Sequence, residues 1–298
     1  MRNVLTIDVG GTFTKYALIR DDLKFLDEGK IPTVTTTLDA YIESLADIYA
    51  RYRDMAEGVA FSMPGVIDPA SGFFFTGGSL DHIIHELSLK EILSERLKTN
   101  ISIGNDAKCA AYAEIGFGSL TGIREAVMFI LGTAVGGCLI HDGQVIHGAH
   151  FAAGEFSYIN TDGDDISIDN VLALRLGSSG LKSLARSELK PNEDLSGLQI
   201  FSMADSGDVR MQKAIHRFAY RCAVQIYNLQ AIFDPDAFAI GGGISCQPRL
   251  FDEIQKSFEE IMAALPMKLR MPKVIPCKFF NNANLIGALY KYIQDHPV

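Results

Sequence analysis

The chain has 298 residues, 48% of them hydrophobic, and its 27 Lys and Arg stand against 36 Asp and Glu for a formal charge of −9. That length exceeds one ordinary domain and points to two, each with a sizeable core and with a cleft between them. The acidic balance, without a basic run or arm, excludes nucleic acid as a partner.

In chain order, alternation of apolar and polar residues predicts strands near 3–9, 14–20 and 24–32, an antiparallel meander around the turn Gly10-Gly11-Thr12. Helical spacing follows over 37–55, with Tyr41, Ile42, Leu45 and Ile48 on one face. A strand over 59–63 runs into Pro64-Gly65, and 66–80 reads as a hairpin and loop. A helix is predicted over 86–98, then a short strand at 101–103 ending at Gly104-Asn105-Asp106, then an alanine-rich helix over 107–115. Two strands flank a second glycine turn, Gly132 to Gly137, partly repeating the first arrangement, and His141-Asp142-Gly143 makes a hairpin turn. The uncharged stretch 126–140 is too short to span a bilayer and is broken by glycines, and the amino terminus runs straight into strand 1 without an apolar leader. No membrane association and a cytoplasmic location are therefore expected. Residues 147–168 read as loop, 168–206 as helices, and 208–233 as one long helix ended by Asp234-Pro235. A buried strand over 237–240 enters Gly241-Gly242-Gly243, followed by a helix, a strand over 273–279 and a last helix over 283–295.

Three glycine turns, each directly after an apolar strand, suggest a nucleotide gripped between two lobes, because glycine lets backbone N–H groups converge on an anion. Asp8, just before the first turn, can hold a divalent cation directly or through water; for that stretch alone an ordinary Gly-Gly hairpin turn is the alternative. Neither Gly-x-Gly-x-x-Gly nor Gly-x-x-x-x-Gly-Lys-Ser/Thr occurs, so dinucleotide and Walker-type sites find no support. Asp106, directly before the helical run that Ala107 begins, reads either as the cap of that helix or as a functional carboxylate. The five cysteines stand far apart, and neither disulfides nor structural zinc is expected.

The order Asp-Val-Gly-Gly-Thr-x-x-Lys, Met-Pro-Gly-x-x-Asp, Gly-Asn-Asp-Ala, Gly-Thr-x-x-Gly-Gly, Ala-Gly-Glu and Gly-Gly-Gly, from residue 4 to about 290, resembles the ROK family of sugar kinases. The resemblance implies an α/β, two-domain actin-like ATPase fold of the ribonuclease H-like, hexokinase type, with ATP and sugar in the interdomain cleft. One domain would comprise 1–107 plus 283–298 and the larger one 108–282. ATP and Mg²⁺ are the implied cofactors: Asp8 helps position Mg²⁺, while Gly10, Gly11, Thr12 and Lys15, with Gly132, Thr133 and Gly136, hold phosphates. Gly241, Gly242 and Gly243 lie against the adenosine. Asp106 is the implied catalytic base; Asn105, Asp106 and Glu155 meet sugar hydroxyls, and Gly77 and Gly78 line the pocket. A homodimer is also implied.

The chain departs from many family members, which place His three residues after the Glu and follow it with cysteines that bind zinc. Here that position is Tyr158, assigned to the sugar pocket, and 159–181 contain no cysteine, so a zinc site is not expected. The second sugar-contacting Glu is also missing from 170–174. The implied reaction is phosphorylation of the 6-hydroxyl of a hexose or hexose derivative, a β-glucoside or glucose, in a pocket more open or more apolar near the anomeric carbon. The alternatives are an N-acetylmannosamine or N-acetylglucosamine kinase and, in a different class, a non-catalytic sugar-binding or regulatory ROK protein. Retention of Asp8, Asp106 and all three turns argues against the last.

Overall fold

The computed structural model describes residues 1–189, 194–266 and 269–297. The chain folds as two compact units, Met1–Gly118 with His147–Ala152 and Asn281–Val298, and Ser119–Ile146 with Ala153–Phe280.

In the first unit β1 (Asn3–Val9), β2 (Phe13–Arg20) and β3 (Phe25–Pro32) form the expected meander. Helix α1 (Leu38–Ala50) starts where Thr37 Oγ1 accepts from Ala40 N, and gives way to turns over 51–55. β4 (Gly58–Met63) pairs parallel with β1, and the hairpin of β5 (Val66–Asp68) and β6 (Phe73–Thr76) makes a small sheet with β7 (Leu87–Ser88). After α2 (Leu89–Leu97) come β8 (Asn100–Asn105), parallel to β4, and α3 (Asp106–Phe117). The main sheet has the order β3-β2-β1-β4-β8.

Both faces of this sheet are covered, which is why β1 is buried almost end to end rather than alternating with solvent. Leu5, Ile7 and Phe61 face Tyr41 and Leu45 of α1 and Leu93 of α2. Val4, Ala17 and Ala60 face the opposite way, onto Cys109 of α3 and a later helix. Each such large side chain contributes about 1.5–3 kcal/mol through the apolar surface it removes from water.

The second unit repeats the topology. β9 (Ala126–Leu131), β10 (Val135–His141) and β11 (Gln144–Val145) form its meander, followed by α4 (Leu172–Arg175), α5 (Gly177–Ser187), α6 (Gly197–Asp205) and α7 (Val209–Phe233). β12 (Ala237–Gly241) pairs parallel with β9, α8 (Pro248–Ala264) follows, and β13 (Val274–Pro276) closes the order β11-β10-β9-β12-β13. Asp208 caps α7 by accepting from Arg210 N and Met211 N, and Asp234 ends it at φ +47° before Pro235. Residues 190–193, inside the helical stretch expected over 168–206, lie outside the described residues.

The chain returns to the first unit in α9 (Ala283–Asp295), which packs on α3. A Cβ on Gly287 would strike the Cys109 backbone, so the two helices approach as closely as they do only over a glycine. That packing holds residues 108–118 in the first unit, whereas they were expected in the second domain. Two sheets of like order, each a meander followed by parallel strands, constitute the actin-like ATPase fold. Among the described residues no helix is long and apolar enough to cross a membrane.

Candidate functional site

At the carboxyl ends of parallel strands, backbone and side chains emerge from the ladder and can hold ligands. In the first unit the neighbouring strands β1, β4 and β8 bring Asp8, Ser62 and Gly104 into one register. Asp8 is only 9% exposed, and its Oδ1 accepts from Ser62 Oγ at 3.0 Å and from Asn284 Nδ2 at 2.9 Å. These neutral donors offset the cost of burying the carboxylate without cancelling its charge. Both fall on Oδ1, so Oδ2 fits a hard divalent cation that takes oxygen ligands directly or through water. Lys15 is the cross-strand partner of Asp8 and is exposed.

Asn105 ends β8 in an extended conformation, φ −63° and ψ 145°, and its Oδ1 accepts from Lys108 N at 3.1 Å. The cap of α3 is therefore Asn105, while Asp106 is the first helical residue, partly exposed, with Oδ1 accepting from Ala107 N at 2.7 Å. A carboxylate there is favoured by the positive end of the helix. Asn105 Nδ2 donates to Gly65 O at 3.0 Å. Gly78, at φ +57°, sits where a Cβ would come within 3.1 Å of Gly65 N, and a Cβ on Gly11 would meet Ser79 Oγ at 3.5 Å. Buried Gly77 donates its N–H to Asp81 Oδ1 at 2.7 Å. Close approaches thus join Asn105, Gly65, Gly78, Ser79 and the Gly10-Gly11-Thr12 turn. In that turn Gly10 N donates to Phe13 O, and Thr33 donates from Oγ1 to Gly10 O at 2.7 Å and from N to Thr12 O at 3.0 Å, with Gly11 and Thr12 exposed.

The second unit builds its glycine turns at the corresponding edge. Gly132, Thr133 and Ala134 connect β9 to β10, and the first amides of α5 clamp the turn from behind: Ser178 N donates to Gly132 O at 2.8 Å and Ser179 N to Thr133 O at 3.3 Å. With those carbonyls engaged, Thr133 and Ala134 stay exposed. Gly241 pairs with Ile130 across β12 and β9, and Gly242, at φ +88°, sits where a Cβ would lie 2.6 Å from the Leu131 carbonyl carbon. The 132–134 and 241–243 turns are therefore neighbours. Gly136, opposite Ile130 on β10, leads into Gly137, whose missing side chain admits Phe156 and Gly154 O, either of which a Cβ would crowd. That approach, with Ser157 Oγ donating to Val135 O at 2.7 Å, pins the Glu155 turn onto β10. Glu155 is half-buried there, whereas Tyr158, 76% exposed, projects from the end of the following short turn.

Sequence reasoning missed the side chain that holds Asp8 and two further polar contacts of the first unit. Asn284 lies 276 positions from Asp8 and carries no local signal. Lys108, almost fully buried, donates from Nζ to Phe151 O at 3.0 Å. His147 hydrogen-bonds Tyr112 Oη at 3.1 Å, and burial, with the positive charges of Lys108 and Lys291 behind it, pulls its pKa down to about 4. Among the described residues no group of three or more His, Cys, Asp or Glu side chains is placed to hold a metal ion.

The ROK family model matches residues 4–294. The chain is 28% identical over 298 residues to a beta-glucoside kinase of Klebsiella pneumoniae, covering 98% of this chain and 96% of that one. It is 26% identical over 295 residues to the beta-glucoside kinase of Listeria monocytogenes, covering 98% of each. A solved ROK family protein from Streptococcus pneumoniae, in complex with sucrose, superposes with a TM-score of 0.87 at 27% identity, again over 98% of each chain. Matched along nearly its whole length, with its glycine turns set on the edges of two sheets of like order, the chain belongs to the ROK family.

Proposed function

We propose that this sugar kinase moves the γ-phosphoryl group of ATP to the 6-hydroxyl of a hexose derivative, β-glucosides ahead of free glucose. The observation that carries the reading is the division of labour at the end of β8. Asn105 takes the cap, so that Asp106 stands as the first residue of α3 at the edge that also holds Asp8. In this reading Asp106 orients the attacking hydroxyl and accepts its proton, late in a loose transfer. Asn105 has one N–H and one lone pair beyond its two structural hydrogen bonds, which suits a hydroxyl that both donates and accepts. Glu155 accepts from ring hydroxyls, and Gly77 and Gly78 border the sugar.

The amides of the Gly10–Thr12 and Gly132–Gly136 turns hold phosphates, with Thr133 Oγ1 and Lys15 as further donors, and Gly241 to Gly243 give the adenosine a surface without side chains. Bound Mg²⁺, held by Asp8, supplies neutralisation of charge on the transferring phosphoryl oxygens. The β-glucoside preference is supported by the missing carboxylate at 170–174 and by the likeness to the two beta-glucoside kinases. A cytoplasmic homodimer completes the proposal. Coupled ADP release over cellobiose, methyl β-glucoside, glucose, N-acetylglucosamine and N-acetylmannosamine tests it. At least one β-glucoside is expected to have the highest kcat/KM, and a far higher value for free glucose or an amino sugar would refute the assignment.

A further inference from the structure

Within the second unit a cavity of about 290 Å³ is lined by Thr161, Asn170, Arg175, Tyr220, Arg221 and Gln225, of which only Asn170 falls in the stretch 170–174 named for the sugar pocket. Its size is at the foot of the ~300–1,000 Å³ range of small-molecule pockets, which suits a compact metabolite better than a nucleotide. Two guanidinium groups meet here without a carboxylate partner. Arg221 Nη1 donates to Arg175 O at 3.3 Å, Arg175 Nη2 donates to Asn170 Oδ1, and among the described residues neither arginine forms an ion pair. Burial first, then the charges of Arg175 and Arg217, push the Arg221 pKa down; Arg217 itself has Glu188 at 3.4 Å. Gln225 is only 8% exposed, and among the described residues its side-chain amide makes no hydrogen bond and the buried Arg175 Nε finds no acceptor. Asp162, also on the lining, accepts from Asp164 N through Oδ1 and supplies one negative charge against the two positive ones.

A buried donor such as Arg175 Nε is costly unless an acceptor completes it, and two partly buried guanidinium groups are better matched by a dianion than by a single carboxylate. We propose that this cavity is a second binding site, for a phosphomonoester whose oxygens accept from Arg175, Arg221 and the Gln225 amide.

Inorganic phosphate and glucose 6-phosphate are the probes, titrated by thermal shift at ionic strength matched with sodium chloride. The choice of a hexose phosphate rests on the proposed function; inorganic phosphate does not. A saturable rise in Tm is expected for the wild type, with Kd weakened at least ~10-fold in Arg221→Gln and in Arg175→Gln. Gln225→Met, which leaves both charges in place, is a third variant should either arginine change disturb folding, and it is expected to weaken binding in the same direction. A rise with both probes assigns recognition to the phosphoryl group alone; a rise confined to glucose 6-phosphate and lost in the variants assigns it to the sugar phosphate. No saturable rise in the wild type, or one that all three variants retain, overturns the proposal.

Discussion

Replacing Asp106 by Asn separates chemistry from architecture. Because Asn105 provides the cap of α3, the substitution leaves the Lys108 N–H satisfied, and the new amide oxygen can still accept from Ala107 N, now at 2.7 Å from Oδ1. Among what the fold loses is one negative charge at a helix amino terminus, about 0.3–1 kcal/mol. What disappears from the reaction is the base, worth ~10²–10⁴ in rate, or about 2.7–5.5 kcal/mol of barrier. Asn105→Ala is the counterpart. It removes the cap, at about 0.5–2 kcal/mol, and the hydrogen bond to Gly65 O, at about 0.5–1.5 kcal/mol, so it costs stability as well as turnover. The assays are kcat from coupled ADP release and unfolding free energy from urea titration of both variants. Asp106→Asn is expected to lose at least ~100-fold in kcat, and Asn105→Ala to lose at least ~0.5 kcal/mol of stability. Retention of more than a tenth of wild-type kcat in Asp106→Asn would refute the assigned role of Asp106, and unchanged stability in Asn105→Ala would refute the assigned cap.

Gly137→Ala places a Cβ against the Phe156 ring and 2.6 Å from Gly154 O, so it should destabilise by about 1–3 kcal/mol in urea and weaken sugar binding through the displaced Glu155 turn; unchanged stability and KM would show that the close approach is dispensable. His147 titrates near 6.5 in an unfolded chain but near 4 in the fold, so between those values the unfolded state binds more protons and stability falls as pH is lowered. Discounted for the partly exposed ring, the loss is about 1–2 kcal/mol, and a urea midpoint in His147→Gln that falls as steeply from pH 6.5 to 4 as the wild type would contradict it.

Much of this arrangement was legible because it is local. A glycine pair directly after an apolar strand marks a turn whatever its surroundings, and the Gly10-Gly11-Thr12 and Gly132–Ala134 turns both join antiparallel strands as expected. The cap of α3 falls one residue earlier than Asp106, the position read as its alternative cap, and Asn and Asp are both good caps. Pairing of Asn105 with Met63 in the sheet holds it extended and settles which residue serves, and that pairing joins positions far apart in sequence. The same distance hid Asn284 behind Asp8 and the approach of Gly287 to Cys109, which fixes α3 with α9 and moves the unit boundary. β13 is shorter than the run 273–279 because only Phe238–Ile240 of β12 offers it a partner. Arg175 and Arg221 carry no motif at all; only folding places them on one cavity.

The most direct measurement follows the phosphorus itself. Incubation of the purified protein with ATP, Mg²⁺ and cellobiose, followed by ³¹P NMR with ¹H correlation, should show a phosphomonoester on a carbon-6 oxygen accumulating in step with ADP. ADP without a sugar phosphate, a phosphate on another carbon, or no turnover with any hexose of the panel would contradict the account.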